Sequence, residues 1–303
     1  MSKTTRESPA IIDESQVAIE VRKPRTHWFR VFGHYRFTFG LTIITLMTAV
    51  AIASPWLAPK DPLRTNTLNR LAPPSTEHLM GTDHFGRDVY SRVLHGAQVS
   101  MRVGLGVVIL TTLAGGTLGI CAGYFRSFEG IIMRIMDALL SFPAIMLAIA
   151  ILAAIGPREA TVIAALTITY SPHTARVARS AILGLTELDY VSAARALGCS
   201  DARIIVRHLI PNLLSPVMVQ ATFIFALAIL AEAGLSFVGA GTQPPTPSWG
   251  NILSDGRQFM YQAWWITFFP GLFIAIVVLG INLLGDALRD ILDPHMRGIR
   301  NVQ

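Results

Sequence analysis

Six long apolar runs limit what this chain can fold into. They cover residues 37–57, 103–123, 135–155, 160–170 with its continuation, 213–240 and 264–284. A helix of about 20 apolar residues crosses the hydrocarbon core of a bilayer, and the runs are close to that length. The fourth run is the weakest, because Ser171, Pro172 and His173 interrupt it. Only 15% of the 303 residues are charged, whereas a soluble domain has about 25%. We therefore predict an all-α membrane protein with six transmembrane helices.

The distribution of Lys and Arg predicts how these helices are oriented. Six spans place both termini on the same side of the membrane. If that side is the cytosol, 17 of the 25 basic residues lie in cytosolic segments and 8 lie outside, as the positive-inside rule requires. We predict a multi-pass membrane protein with both termini cytosolic. This bias accounts for the net charge of +6, so we expect no nucleic-acid partner.

Composition also divides the chain. Residues 1–26 are polar and predict a disordered cytosolic tail. Residues 27–98 hold a basic, aromatic segment typical of an interfacial helix, the first transmembrane helix and an outer loop. Residues 99–288 form the predicted five-helix core, and residues 289–303 form a cytosolic C-terminal tail.

Glycine and proline mark the helices that pack closely or bend. Gly115, Gly119 and Gly123 recur every four residues, a stripe that lets another helix approach within the bundle or across a dimer. Three prolines interrupt the spans, and the kinks they predict either shape packing or serve a cavity that opens and closes: Pro143, Pro172 and Pro270.

The polar segment at residues 189–212, here named the elbow, separates the fourth and fifth apolar runs. Its first half predicts a short helix with a docking face at i, i+3, i+4 and i+7, made of Tyr190, Ala193, Ala194 and Leu197. Gly198 should end this helix, Ser200 should cap a second one, and Pro211 should stop it. A membrane protein that presents such a segment to the cytosol is expected to dock a soluble partner there.

Two acidic residues fall inside the apolar runs. Burying Glu232 in lipid would cost at least about 2.5 kcal/mol. It should therefore line a translocation path or accept hydrogen bonds between helices near the outer interface. Asp137 lies one turn into the third run near Arg134, where we expect a structural role.

We expect neither catalysis nor a metal site in this chain. A phosphate-binding G-x-x-x-x-G-K-[ST] loop needs a lysine, and none of Lys3, Lys23 and Lys60 follows a glycine-rich loop. The eight histidines form no H-E-x-x-H pair. Transport by this chain would therefore draw its energy from a partner.

The elbow resembles the "EAA loop" of type I ABC-importer permeases. Ser192, Ala193 and Ala194 match its triplet, Gly198 its glycine, and Pro211 its end. Ser192 replaces a glutamate of the family pattern, and His208 replaces an apolar residue. Three further segments resemble the dipeptide/oligopeptide/nickel branch: GTDHFGRDVYSRVLHGAQVS at 81–100, LSFVGAGTQPPTPSWGNILSDGR at 235–257 and NLLGDALRDILDP at 282–294.

This resemblance implies a type I permease fold, a location in the bacterial inner membrane and a transport function. The chain would be the permease subunit of an ATP-driven importer and form the path for di- or oligopeptides or similar solutes. Its expected partners are a second homologous permease in a heterodimer, two cytosolic ATPase subunits and an extracytoplasmic solute-binding protein. ATP would be used by the partners, and this chain would bind no cofactor. The ATPase-coupling residues would be Tyr190, Ser192, Ala193, Ala194, Leu197, Gly198 and Pro211.

Three alternatives remain open at the level of sequence. The same architecture could carry nickel or another metal complex. An ion-driven secondary transporter would show internal repeats and several intramembrane charges, and a membrane enzyme would show a catalytic constellation.

Overall fold

A computed structural model describes residues 35–292, and every regular element in this range is helical. The predicted disordered tail at 1–26, nearly all of the predicted interfacial helix and residues 293–303 lie outside the described residues. The helices are α1 (Tyr35–Leu57), α2 (Val89–Tyr124), α3 (Arg126–Leu140), α4 (Ala144–Ile155), α5 (Glu159–Thr186), α6 (Asp189–Ala196), α7 (Asp201–Ile204), a π-helical turn (Ile205–Leu209), α8 (Ile210–Phe237), α9 (Trp249–Gly256) and α10 (Trp265–Leu292). Short 3₁₀ turns occur at Thr67–Asn69 and Arg257–Phe259.

Four helices are long and apolar enough to cross a membrane: α1, α2, the continuous helix Asp201–Phe237 and α10. The predicted third span is broken, because α3 and α4 meet at an angle of 93° and count as one further span only together. Pro143 precedes α4 at this break. Proline cannot donate a backbone hydrogen bond and disfavours helical geometry in the residue before it.

The predicted fourth span is one helix. α5 continues through Pro172, so the polar interruption at residues 171–173 does not end it. However, α5 is not among the helices that are apolar enough to cross a membrane on their own. A count of four or five candidate spans agrees with a multi-pass membrane protein, and the count of six stays a prediction.

The glycine stripe on α2 packs against α5 in the same chain. An added Cβ would clash at each glycine: Gly115 with the Ser171 carbonyl at 2.6 Å, Gly119 with the Ala175 carbonyl at 2.5 Å, and Gly123 with the Ile182 Cβ at 2.8 Å. Because these contacts fill the stripe, it serves packing within the bundle. The α2–α5 pair forms the centre of the fold.

α1 and α10 also pack closely through glycines. An added Cβ on Gly40 of α1 would lie 2.7 Å from the Gly280 carbonyl of α10, and one on Gly280 would lie 2.5 Å from Ile43. Close approach of small residues lets helix backbones pack without large side chains between them. α1 therefore packs against α10 and is part of the helix bundle.

Candidate coupling site

The elbow turns at Gly198 by a Schellman motif. The Cys199 amide donates to the Ala194 carbonyl at 3.0 Å, and the Gly198 amide donates to the Arg195 carbonyl at 2.9 Å. Gly198 has φ +77°, and no atom lies within 4 Å of the position its Cβ would take. Glycine is therefore needed for backbone conformation and not for space. The predicted helix–glycine–helix arrangement is confirmed here.

The inner face of α6 is packed on the bundle. The elbow has two arms, α6 and a second arm at residues 201–209. Val191 and Ala194 are buried in an apolar cluster with Ile182 of α5 and with residues of the second arm and α8. The sequence prediction placed Ala194 on the docking face, and this is wrong: the side chain points inward. The predicted docking face combined residues from the exposed and the buried face of α6. Val191 was not included in it, and its side chain lies on the buried face.

The outer face of α6 and the turn are open. Tyr190, Ser192 and Ala193 are exposed, and the Leu197 side chain is 85% exposed. The Tyr190 ring lies 6.0 Å from the His208 ring, so the two arms of the elbow meet beside this surface. The outward surface consists of small residues flanked by two large ones, and a partner can contact its backbone closely.

The second arm of the elbow runs without interruption into a membrane-spanning helix. Ser200 occupies the N-cap position of α7, although its side chain makes no capping hydrogen bond. Pro211 does not stop the helix as predicted; it is the second residue of α8. The Ile210 amide donates to the Ile205 carbonyl five residues earlier. This π-helical register accommodates the missing amide and the bulk of the proline ring, which would clash in a regular α-helix.

Both arms are tied to the end of α2. The Tyr124 hydroxyl donates to the Asp201 carboxylate at 2.6 Å, and the Arg195 guanidinium lies 5.4 Å from the centre of the Tyr124 ring. Tyr124 is the last residue of α2. The elbow therefore contacts α2, α5 and α8 at once.

Glu232 lies fully buried near the opposite end of α8. Hydroxyl groups from three parts of the chain donate to its carboxylate: Ser236 at 2.9 Å, Ser100 at 3.2 Å and Thr242 at 3.3 Å. This geometry matches the alternative of hydrogen bonds between helices. Its contact with a transported solute stays a prediction.

A buried ionic cluster at the same end was not foreseen from sequence. Asp83 accepts hydrogen bonds from the Arg87 and Arg92 side chains, and both arginines also donate to Asp255 at 3.0 Å. Burial alone would raise the pKa of Asp83, but the two guanidinium groups outweigh it and hold that pKa below its ordinary value. The cluster fastens the loop before α2 to α9.

His84 lies beside this cluster and burial lowers its pKa. One atom each from Asp83, His84 and Asp255 lie within 4.8 Å of one another, a spacing that suits a metal ion. The two arginines already occupy both carboxylates, so the geometry fits a buried salt-bridge network better. The GTDHFGRD segment carried part of the signal, since it places two acidic residues and Arg87 in one short loop.

Comparisons with known proteins agree with this geometry. Residues 115–298 match the family model of the binding-protein-dependent transport system inner membrane component. Residues 25–74 match the N-terminal TM domain of oligopeptide transport permease C.

Named relatives cover most of the chain. A putative peptide transport system permease protein of Brucella abortus biovar 1 is 51% identical over 88% of this chain and 90% of its own length. The dipeptide transport system permease protein DppC of Alkalihalophilus pseudofirmus is 46% identical over 85% of each chain. DppC of Escherichia coli K12 is 43% identical over 85% of this chain and 88% of its own.

Among solved structures, a chain of the inward-facing MetNI methionine ABC transporter has the same fold. Its TM-score is 0.55 with 20% identity, over 66% of this chain and 96% of that one. The length of the family-model match and the sequence identity to the named relatives together establish the family. The chain belongs to the binding-protein-dependent transport system inner membrane components and is a multi-pass permease of the inner membrane.

Proposed function

We propose that this chain is the permease subunit of an ATP-driven importer of di- or oligopeptides, and that the elbow couples it to separate ATPase subunits. The elbow carries the proposal: an open surface of small residues on α6 is followed, after the turn at Gly198, by a second arm that is continuous with a membrane-spanning helix. The peptide and dipeptide names of the relatives support the class of cargo.

The contacts of the elbow suggest how coupling works. An ATPase that binds Tyr190, Ser192, Ala193 and Leu197 displaces α6, and Gly198 transmits the movement to the second arm. Because the π-helical turn keeps Pro211 within a continuous helix, the displacement reaches α8 directly. The Tyr124–Asp201 hydrogen bond and the glycine stripe extend it to α2 and α5.

The assembly we propose has more chains than this one. Six spans place both termini and the elbow in the cytosol, where two ATPase subunits bind. A second permease completes the translocation path, and an extracytoplasmic binding protein delivers the solute. Partner closure that drives a bistable helix bundle is an established switching mode. The energy comes from ATP on the partner subunits, and this chain binds no cofactor.

The test replaces one exposed alanine of the elbow. Ala193→Trp adds bulk to the outer face without filling the apolar cluster, so the chain should insert normally while ATPase copurification and ATP-dependent peptide uptake fall at least about tenfold. Ala193→Ser is the matched control and should retain both. Ala194→Trp should also fail, with loss of stability because its site is buried.

The measurements separate this function from its alternatives. Uptake is assayed in cells that carry the remaining subunits and this chain as the only source of the permease. Full ATP-dependent uptake by Ala193→Trp would refute docking at this face. Uptake that survives ATP depletion but not an ionophore would indicate an ion-driven transporter. If the copurified binding protein holds a nickel complex, the transported solute is that complex and not a peptide.

A further inference from the structure

A polar groove opens between α3 and α5 at the elbow end of the bundle. Its volume is about 540 Å³, and it is lined by Glu129, Gly130, Met133, Asp137, Arg176 and Arg179. The coupling surface of the elbow uses none of these residues. The groove holds two arginines and two carboxylates.

The exposed residues in the second half of α5 are polar, whereas the first half exposes Ile168. α1 exposes apolar residues such as Phe39, Leu46 and Ile52 together with Arg36 and several threonines, and α10 exposes Leu272 and Leu279. α5 instead exposes His173, Arg176 and Ser180 on one side. Arg176 is 17 residues after the first residue of α5, and at 1.5 Å per residue that is about 26 Å along the helix. Since charged groups in spans face water or protein, this side of α5 faces water or protein and not lipid.

The two ion pairs in the groove differ in accessibility. Arg176 donates to the Asp137 carboxylate at 2.6 Å, and their side chains are 53% and 59% exposed. The pair formed by Arg179 and Glu129 is more enclosed, at 32% and 31%. An exposed ion pair stabilises a protein little, so its partners exchange easily with another charged molecule. The enclosed pair holds α3 against α5 while the open pair is free to exchange.

We propose that the Arg176–Asp137 pair is a transient binding site for the two charged ends of the transported peptide. The inference rests on the proposed peptide importer and assigns part of its path. Arg176 binds the terminal carboxylate, because guanidinium and carboxylate form paired charge-assisted hydrogen bonds. Asp137 binds the terminal ammonium. A free peptide carries both charges, so it replaces each half of the ion pair without leaving a charge unpartnered.

The experiment uses the complete transporter in proteoliposomes, with labelled dialanine as the probe within a panel of dipeptides. The variants are Arg176→Gln, Asp137→Asn and the double variant. Arg134→Gln is the matched control, since Arg134 is an exposed arginine of α3 outside the groove lining. ATPase stimulation by the loaded binding protein is measured alongside, because it reports assembly and coupling separately from passage.

Recognition of two peptide ends predicts a specific pattern. Each single variant should lower kcat/KM for uptake about fivefold, and the double variant should lower it further, because each end loses its own partner. Arg134→Gln and the ATPase stimulation should stay at the wild-type level. If the ion pair only holds helices together, the two single variants and the double variant have the same effect, since each removes the same contact; that result overturns the proposal.

Two further results would also count against it. Uptake of dialanine by Arg176→Gln and Asp137→Asn at the wild-type rate overturns the binding site and leaves the importer intact. Failure of the wild type to take up any dipeptide of the panel overturns the peptide cargo, and the binding site with it.

Discussion

Gly119→Ala tests the close packing of α2 on α5 with a single methyl group. The added Cβ would lie 2.5 Å from the Ala175 carbonyl and 2.5 Å from the Ala178 Cβ. Neither neighbour is a flexible side chain, so the helices must separate. Overpacking of this kind costs about 1–3 kcal/mol, and alanine offsets roughly 0.5–1 kcal/mol of that by favouring helix over glycine. We expect a net loss of up to about 2.5 kcal/mol in the free energy of unfolding.

The same helix supplies the control. Gly116 is buried three residues earlier, and no atom lies within 4 Å of its added Cβ. Gly116→Ala should be neutral or up to about 1 kcal/mol more stable. Both variants are purified in one detergent, and their free energies of unfolding are measured by denaturant titration. Equal stability of the two variants would refute the α2–α5 contact at Gly119 and the packing assigned to the stripe.

Two further predictions concern the elbow and the ionic cluster. Gly198→Ala should lower the stability of the turn by about 1 kcal/mol, because φ +77° disfavours a Cβ. Hydrogen exchange of the Cys199 amide should become faster in this variant. Gly198→Asn should lose less stability, because asparagine tolerates the left-handed conformation better than alanine does. Since Arg92 and Arg87 lower the pKa of Asp83 from 3.8, the stability it contributes should be complete above that pH and be lost as pH falls through the lower folded value. Asp83→Asn should be less stable at pH 6, and its stability should fall less steeply between pH 5 and 2 in the same titration; parallel curves would contradict the assignment.

Several features of the site could be predicted because their signals are local. Gly198 ends α6 since a helix that closes with a left-handed residue favours glycine at that position. The apolar runs at 37–57 and 213–240 have the length and composition of spans, and the helices at those positions are confirmed as candidates. Both kinds of signal depend on a residue and its chain neighbours alone.

Other features depended on residues far away in the chain. Asp137 was expected beside Arg134, its neighbour on the same helix, but it pairs with Arg176 on α5. Pro211 was expected to stop a helix, yet the register shift at Ile205–Leu209 lets the helix continue. Ala194 was placed on the wrong face because small residues fit both a buried and an exposed surface.

The sequence by itself determined that this chain lies in a membrane, where long helices such as α1 and α8 lie and where the elbow turns, because length, hydropathy and backbone conformational preference act within a few residues. Only the tertiary structure decided what the helices contact. The partner of the glycine stripe, the hydrogen bond from Ser100 to Glu232 and the groove between α3 and α5 all arise from residues separated by tens of positions. Their side chains meet because the helices pack, and no local pattern records that geometry.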